Sequence, residues 1–168
     1  MKNYLILPIN NKTENKDVLI ISKDGTNYGL SVRLDASKPM YYVYVDVSFL
    51  GEIKSINLKD NEYSFTNNKP DNLYHEKLRP KLHYTVSTGW NNDPNGMLYY
   101  DGVYHMFYQF NPAGNTWGNM HWGHATSKDM IHYKEEEVAL RPDFLGAVYS
   151  GSAIVDYDNV SGLKENEN

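Results

Sequence analysis

Apolar side chains alternating with a period of two, in runs too short for helices and closed by turn-forming residues, are what most constrain how this chain can fold. From Tyr4 to Phe65 the runs are "YLILPI", "VLIIS", "YGLSVRL", "YYVYVDV" and "IKSINL", with Asp24-Gly25, Lys38-Pro39 and Asp60-Asn61 as punctuation. Leu30, Val32 and Leu34 share one face with Ser31 and Arg33 opposite, while Tyr41, Val43, Val45 and Val47 share a face with Tyr42, Tyr44 and Asp46 opposite. Strands that are apolar on one face need a second sheet to cover it, so residues 1–65 predict a small antiparallel β-sandwich. The polar, proline-containing "TNNKPDNLY", residues 66–74, reads as a linker.

Residues 75–168 are also strand-like. "MLYY", "YHMFYQF", "NMHWGHATS" and "YSGSAIVD" are strand candidates, joined by "DG", "NPAGN" and "SKDM" turns. In "YHMFYQF", Tyr104, Met106, Tyr108 and Phe110 point one way, and His105, Phe107 and Gln109 the other. About four strands fit, which makes one open sheet, so the chain as a whole is expected to be all-β.

Composition removes several classes of function. Aromatics make up 14 % of the 168 residues, tyrosine alone supplying 15, a bias that suits strands and sugar-facing surfaces. Residues 81–168 hold 5 of the 16 basic and 11 of the 21 acidic side chains. So acidic a half lacks the basic stripe that a nucleic-acid surface needs to displace counterions. With no cysteine in the chain, disulfides, thiolate metal sites and cysteine nucleophiles are excluded. The opening "MKNYLILPINN" is short, broken by Pro8 and followed by no small-residue cleavage site, and no run approaches a membrane span; with Met1 as the start, a cytoplasmic location is the expectation.

The chemically telling stretch is "GWNNDPNGMLYYDG", residues 89–102. Pro94 pushes Asp93 toward extended geometry, and Asn95-Gly96 has the residue types that a tight hairpin turn prefers, so the carboxylate is expected at a strand end beside a turn. Alone, such a stretch is most simply a capped turn. Downstream, however, stand Gln109 in an aromatic strand, Trp117 in "NTWGNMHWGH" and the hydroxyls of "YSGSA". Carboxylates and amides grip sugar hydroxyls, and an indole covers the apolar face of a ring.

The ordered series "WNNDPNG", "YHMFYQFNP", "WGNMHWGHATSKDMIHY" and "YSGSAIVD", spanning about residues 74–162, resembles the start of the catalytic domain of glycoside hydrolase family 32, the β-fructofuranosidases. The resemblance implies a five-bladed β-propeller, of which this chain would hold the first blade and the opening of the second. Asn91, where many members have Met, is a variant associated with bacterial fructanases that carry a β-rich segment ahead of the propeller, a role residues 1–65 would suit. It implies retaining hydrolysis of terminal β-fructosidic bonds, with Asp93 as nucleophile and an acid/base carboxyl about 5 Å away. Asn92, Gln109 and Trp117 would hold the fructosyl ring, with Tyr149 and Ser150 at the family's aromatic-Ser pair, where Phe is more usual than Tyr. The implied partner is a β-fructoside; no cofactor, metal, nucleic acid or membrane is implied.

The family's Arg-Asp-Pro segment and its Glu-Cys acid/base do not occur in this sequence. "RPDF" at Arg141–Phe144 has the letters in another order, and Glu135-Glu136-Glu137 reads as a solvated edge. A nucleophile without proton delivery to the leaving group loses about 10²- to 10⁴-fold in rate. The expectation is therefore the N-terminal part of a longer enzyme, inactive alone; the alternative is a non-catalytic fructoside-binding or remnant module. A fructosyltransferase, or a propeller hydrolase of arabinose or xylose polymers, is a more distant alternative. His121 and His124, three apart on a strand, face opposite sides and do not form a metal pair, and the remaining histidines show no partner spacing. The tyrosines of residues 41–44 suit alternating core and surface positions better than a sugar platform.

Overall fold

The computed structural model describes residues 3–163. Among these residues there is no α-helix, and ten strands form three antiparallel sheets. The first six are β1 (Tyr4–Ile9), β2 (Lys16–Ser22), β3 (Asn27–Val32), β4 (Tyr41–Asp46), β5 (Ile53–Ile56) and β6 (Ser64–Thr66). They make two three-stranded sheets, ordered β4-β1-β6 and β3-β2-β5.

The expected sandwich is present. Leu5, Leu7 and Ile9 of β1 and Val43 and Val45 of β4 pack against Val18 and Ile20 of β2 and Tyr28, Leu30 and Val32 of β3 in one buried cluster. Each fully buried aliphatic side chain contributes roughly 1.5–3 kcal/mol. The alternation therefore selects the register, because a one-residue slip would turn every one of these groups outward.

The other four strands are β7 (Trp90–Tyr100), β8 (Val103–Asn111), β9 (His121–Ser127) and β10 (Tyr133–Glu135), ordered β10-β9-β8-β7, so β7 is an edge. Asp101 and Gly102, with φ of 47° and 79°, make the tight β7–β8 turn, the geometry whose twist matches that of the flanking strands. Val86, Tyr108, Phe110 and Ala125 form a second buried cluster on one face of this sheet.

Two sequence expectations fail here. "YSGSAIVD" forms no strand: residues 149–156 run alongside the sheet, held by the Gly96 amide donating to the Gly151 carbonyl at 3.2 Å, and by Val148 to Met120 nearby at 2.9 Å. Glu135 is no solvated edge either. Its carboxylate accepts from the Ser87 amide at 2.7 Å and the Tyr74 hydroxyl at 2.6 Å, with Lys69 Nζ at 3.4 Å. Lys69 and Tyr74, inside the polar stretch 66–74, are thereby tied to β10.

The sandwich and the four-stranded sheet are joined by polar contacts. The Asn119 side chain pairs with the backbone of Ser31 on the β3 edge, accepting at 2.7 Å and donating at 2.9 Å, as a neighbouring strand would. Arg141 lies over the Phe49 ring, 4.0 Å from its centroid.

Candidate active site

β7 pairs with β8 in a broken register: Asn91 faces Phe110, the next pair is Pro94 with Tyr108, and Asn92 and Asp93 together stand opposite Gln109. Two residues opposing one is a β-bulge, which bends a strand and re-aims its side chains. Pro94 has no N–H to give to a ladder and so suits this position. A second irregularity separates Asn95, opposite Phe107, from Leu98, opposite His105.

The hairpin turn expected at Asn95-Gly96 is thus absent. Gly96 has positive φ, 49°, but Asn95 does not, and β7 continues for four more residues because Leu98, Tyr99 and Tyr100 all find partners on β8. Tertiary pairing overrides the local turn preference. Asp93 sits in mid-strand, at the end of the sheet where β7 begins and β8 finishes.

The Asp93 carboxylate is exposed, and Ser150 Oγ lies 3.4 Å from its Oδ2, at the long limit of a hydrogen bond. Asn92, half-buried, accepts from Trp90 Nε1 at 2.9 Å. Gln109 is only 3 % exposed and its Nε2 has no partner among the described residues; Asn95, equally buried, has an unpartnered Nδ2. Buried donors without acceptors cost about 1–3 kcal/mol each.

Two expected site residues stand differently. Tyr149 is largely exposed, and its carbonyl accepts from Trp122 Nε1 at 2.9 Å. Trp117, 62 % exposed, lies in the β8–β9 loop and lines a cavity of about 100 Å³ with Ile9, Asn11, Arg33 and Tyr41 of the sandwich. Among the described residues no hydrogen bond or ring contact links it to Asp93.

Sequence reasoning missed two features. Trp122 packs beneath both the Asp93 strand and the Ser150 segment, and the glycines at 96 and 151 that let it do so were its only local signal. His105 Nδ1 and His124 Nε2 meet at 3.0 Å, with Phe107 stacked on His124 at 4.5 Å. That pairing depends on the β8–β9 register, in which Phe107 faces His124. Burial and the neighbouring His105 push the His124 pKa down, though Glu136 opposes this. His121 points away from this pair, as its spacing predicted, toward Tyr28.

Residues 83–163, which contain the bulge, Gln109, Trp117 and Ser150, match the Glycosyl hydrolases family 32 N-terminal domain. Over this segment the chain is similar to glycosyl hydrolase family 32. The levanase of Bacillus subtilis is 54 % identical over 91 residues, which are 54 % of this chain and 13 % of the levanase. The fructan beta-fructosidase of Streptococcus mutans is 54 % identical over 90 residues, again 54 % of this chain but 6 % of that protein. The invertase of Schizosaccharomyces pombe is 48 % identical over 103 residues, 58 % of this chain and 18 % of the invertase. The chain therefore spans less than a fifth of these family 32 relatives. The crystal structure of exo-inulinase from Aspergillus awamori superimposes with a TM-score of 0.51 at 44 % identity, covering 55 % of this chain and 19 % of that one. The all-β sheet β7–β10 accordingly matches the β-propeller domain of family 32, while β1–β6 lie ahead of the matched residues.

Proposed function

We propose that this chain carries the nucleophile of a retaining β-fructosidase, on the first blade of a five-bladed propeller. The observation that carries the proposal is the bulge in β7, which sets Asp93 opposite Gln109 and within 3.4 Å of Ser150 inside the family-matched segment. Relatives named levanase, fructan beta-fructosidase and invertase indicate terminal fructosyl units of fructans or sucrose as the substrate class.

In the first step Asp93 attacks the anomeric carbon of the fructosyl unit. The bond to the leaving oxygen breaks, a fructosyl ester forms on the carboxylate, and a carboxylic acid delivers its proton to the leaving oxygen. In the second step the same group takes a proton from water, which attacks the anomeric carbon and releases fructose and free Asp93. Gln109 Nε2 and Asn92 supply hydroxyl contacts, and Ser150 orients the carboxylate. Neither Glu135 on β10 nor Glu136 just after it is free to act as the acid/base: Glu135 is committed to Ser87, Tyr74 and Lys69, and Glu136 to Lys134 and Thr126. In the proposed reaction proton delivery falls to a carboxylic acid other than Glu135 and Glu136.

The commitment of Glu135 and Glu136 to other partners also fits one other reading, a fructoside-binding module that does not cleave. Both are tested by replacing the corresponding segment of the Bacillus subtilis levanase with residues 83–163. The hybrid is expected to hydrolyse levan, and its Asp93→Asn variant to lose on the order of 10⁴-fold in kcat while keeping the same thermal melt. Near-normal turnover by that variant rules out the nucleophile assignment, and a folded hybrid that binds levan without cleaving it favours the binding module.

A further inference from the structure

Trp122 has no place among the sugar contacts expected of this site, yet it touches both segments that build it. The residue is 8 % exposed, in β9, and its backbone is fixed by its amide donating to the Leu140 carbonyl at 3.0 Å and its carbonyl accepting from Ala139 at 2.9 Å. Its indole Nε1–H donates to the Tyr149 carbonyl at 2.9 Å, one residue before Ser150. The benzo edge of the same ring lies against two glycines. A methyl group on Gly96 would stand 3.1 Å from Cζ3, and one on Gly151 3.1 Å from Cζ2. Gly96 is three residues after Asp93 and Gly151 is one after Ser150, and the two glycines are bonded to each other at 3.2 Å. Phe107 backs the indole at 5.7 Å between ring centroids.

From this geometry we infer that Trp122 is a positioning residue for the Asp93–Ser150 pair: its indole is the common seat that sets the Asp93 strand and the Ser150 segment at their separation. The inference rests on the proposed role of Asp93, but the seating is a matter of contacts and is read without turnover. Residues 149–156 have no strand ladder of their own, so one indole hydrogen bond, one amide bond and the fit of two glycines against a ring fix where Ser150 stands. A ring that served only to fill the core would leave Ser150 in place once the indole N–H was removed.

The test uses the 168-residue chain and nuclear Overhauser contacts. In the parent chain, Ser150 to Asp93 and Gly151 to the Trp122 ring should give contacts, and the Trp122 indole proton should exchange at least about tenfold more slowly than that of exposed Trp117. Trp122→Phe keeps an aromatic ring and removes the donor. It is expected to lose the Ser150–Asp93 contact while the β8–β9 amides stay protected. Gly151→Ala leaves the sheet untouched, crowds the seat from the other side and is expected to lose the same contact. Persistence of the Ser150–Asp93 contact in either folded variant overturns the inference. So does wholesale unfolding of both, which would make Trp122 a core residue and nothing more.

Discussion

Tyr28 and His121, 93 residues apart, meet at the junction between the sandwich and the four-stranded sheet, Tyr28 Oη donating to His121 Nε2 at 2.7 Å. On its other side His121 Nδ1–H donates to the Asn119 carbonyl, which leaves Nε2 as the acceptor and the ring neutral. Burial is the main cause that takes the His121 pKa down to about 4; the Asn119 carbonyl opposes it and Arg141 adds to it. The folded state therefore binds fewer protons than the unfolded chain between about pH 6.5 and pH 4, and stability falls as pH falls through that window. The expected loss is on the order of 3 kcal/mol for complete protonation. Urea unfolding at pH 7 and pH 4 measures it, and His121→Asn, which removes the titrating group, should flatten the difference.

Glu135 gives a second, separable acid sensitivity. Burial alone would raise its pKa, but Lys69, the Tyr74 hydroxyl and Ser87 outweigh burial and hold the carboxyl below its ordinary value. Its contribution is present above the usual carboxylate range and is lost as pH falls below it. Glu135→Gln should cost about 2 kcal/mol at neutral pH and free residues 66–88 for limited proteolysis. An unchanged unfolding midpoint and an unchanged cleavage pattern would show that the carboxylate does not hold that segment.

Gly123 lies directly opposite Tyr108 in the β8–β9 pairing, and the phenol ring covers it so closely that any Cβ there would sit inside the Tyr108 ring atoms. The Tyr108 hydroxyl in turn accepts from Tyr84 at 2.9 Å, so the ring is not free to swing aside. Gly123→Ala should destabilise by about 3 kcal/mol, far more than a methyl group does at open Gly29. Comparing the two variants by chemical denaturation checks it.

The sandwich was legible because alternation is a local signal: Val43, Val45 and Val47 are buried at every second position, as are Tyr28, Leu30 and Val32. What escaped was set by distant partners. The polar composition of residues 66–74 suggests a linker, but Lys69 and Tyr74 find Glu135 more than sixty residues away. Asn95-Gly96 has turn chemistry, yet pairing with β8 carries the strand past it to Asp101-Gly102. The site was legible as a motif rather than as a geometry. The resemblance put Ser150 at the site of Asp93, but nothing near either announces that Trp122 underlies both, while Trp117, the indole the motif favours, lines a cavity with residues of the sandwich.

As nucleophile, Asp93 must form a bond to the sugar during turnover. Acid-quenching the levanase hybrid during turnover of levan, followed by peptide mass spectrometry, reads this directly. The peptide bearing Asp93 should gain the mass of one hexosyl residue, and the Asp93→Asn hybrid should show none. A hybrid that turns over levan while its Asp93 peptide stays unmodified, or carries the sugar on another residue, would contradict the assignment.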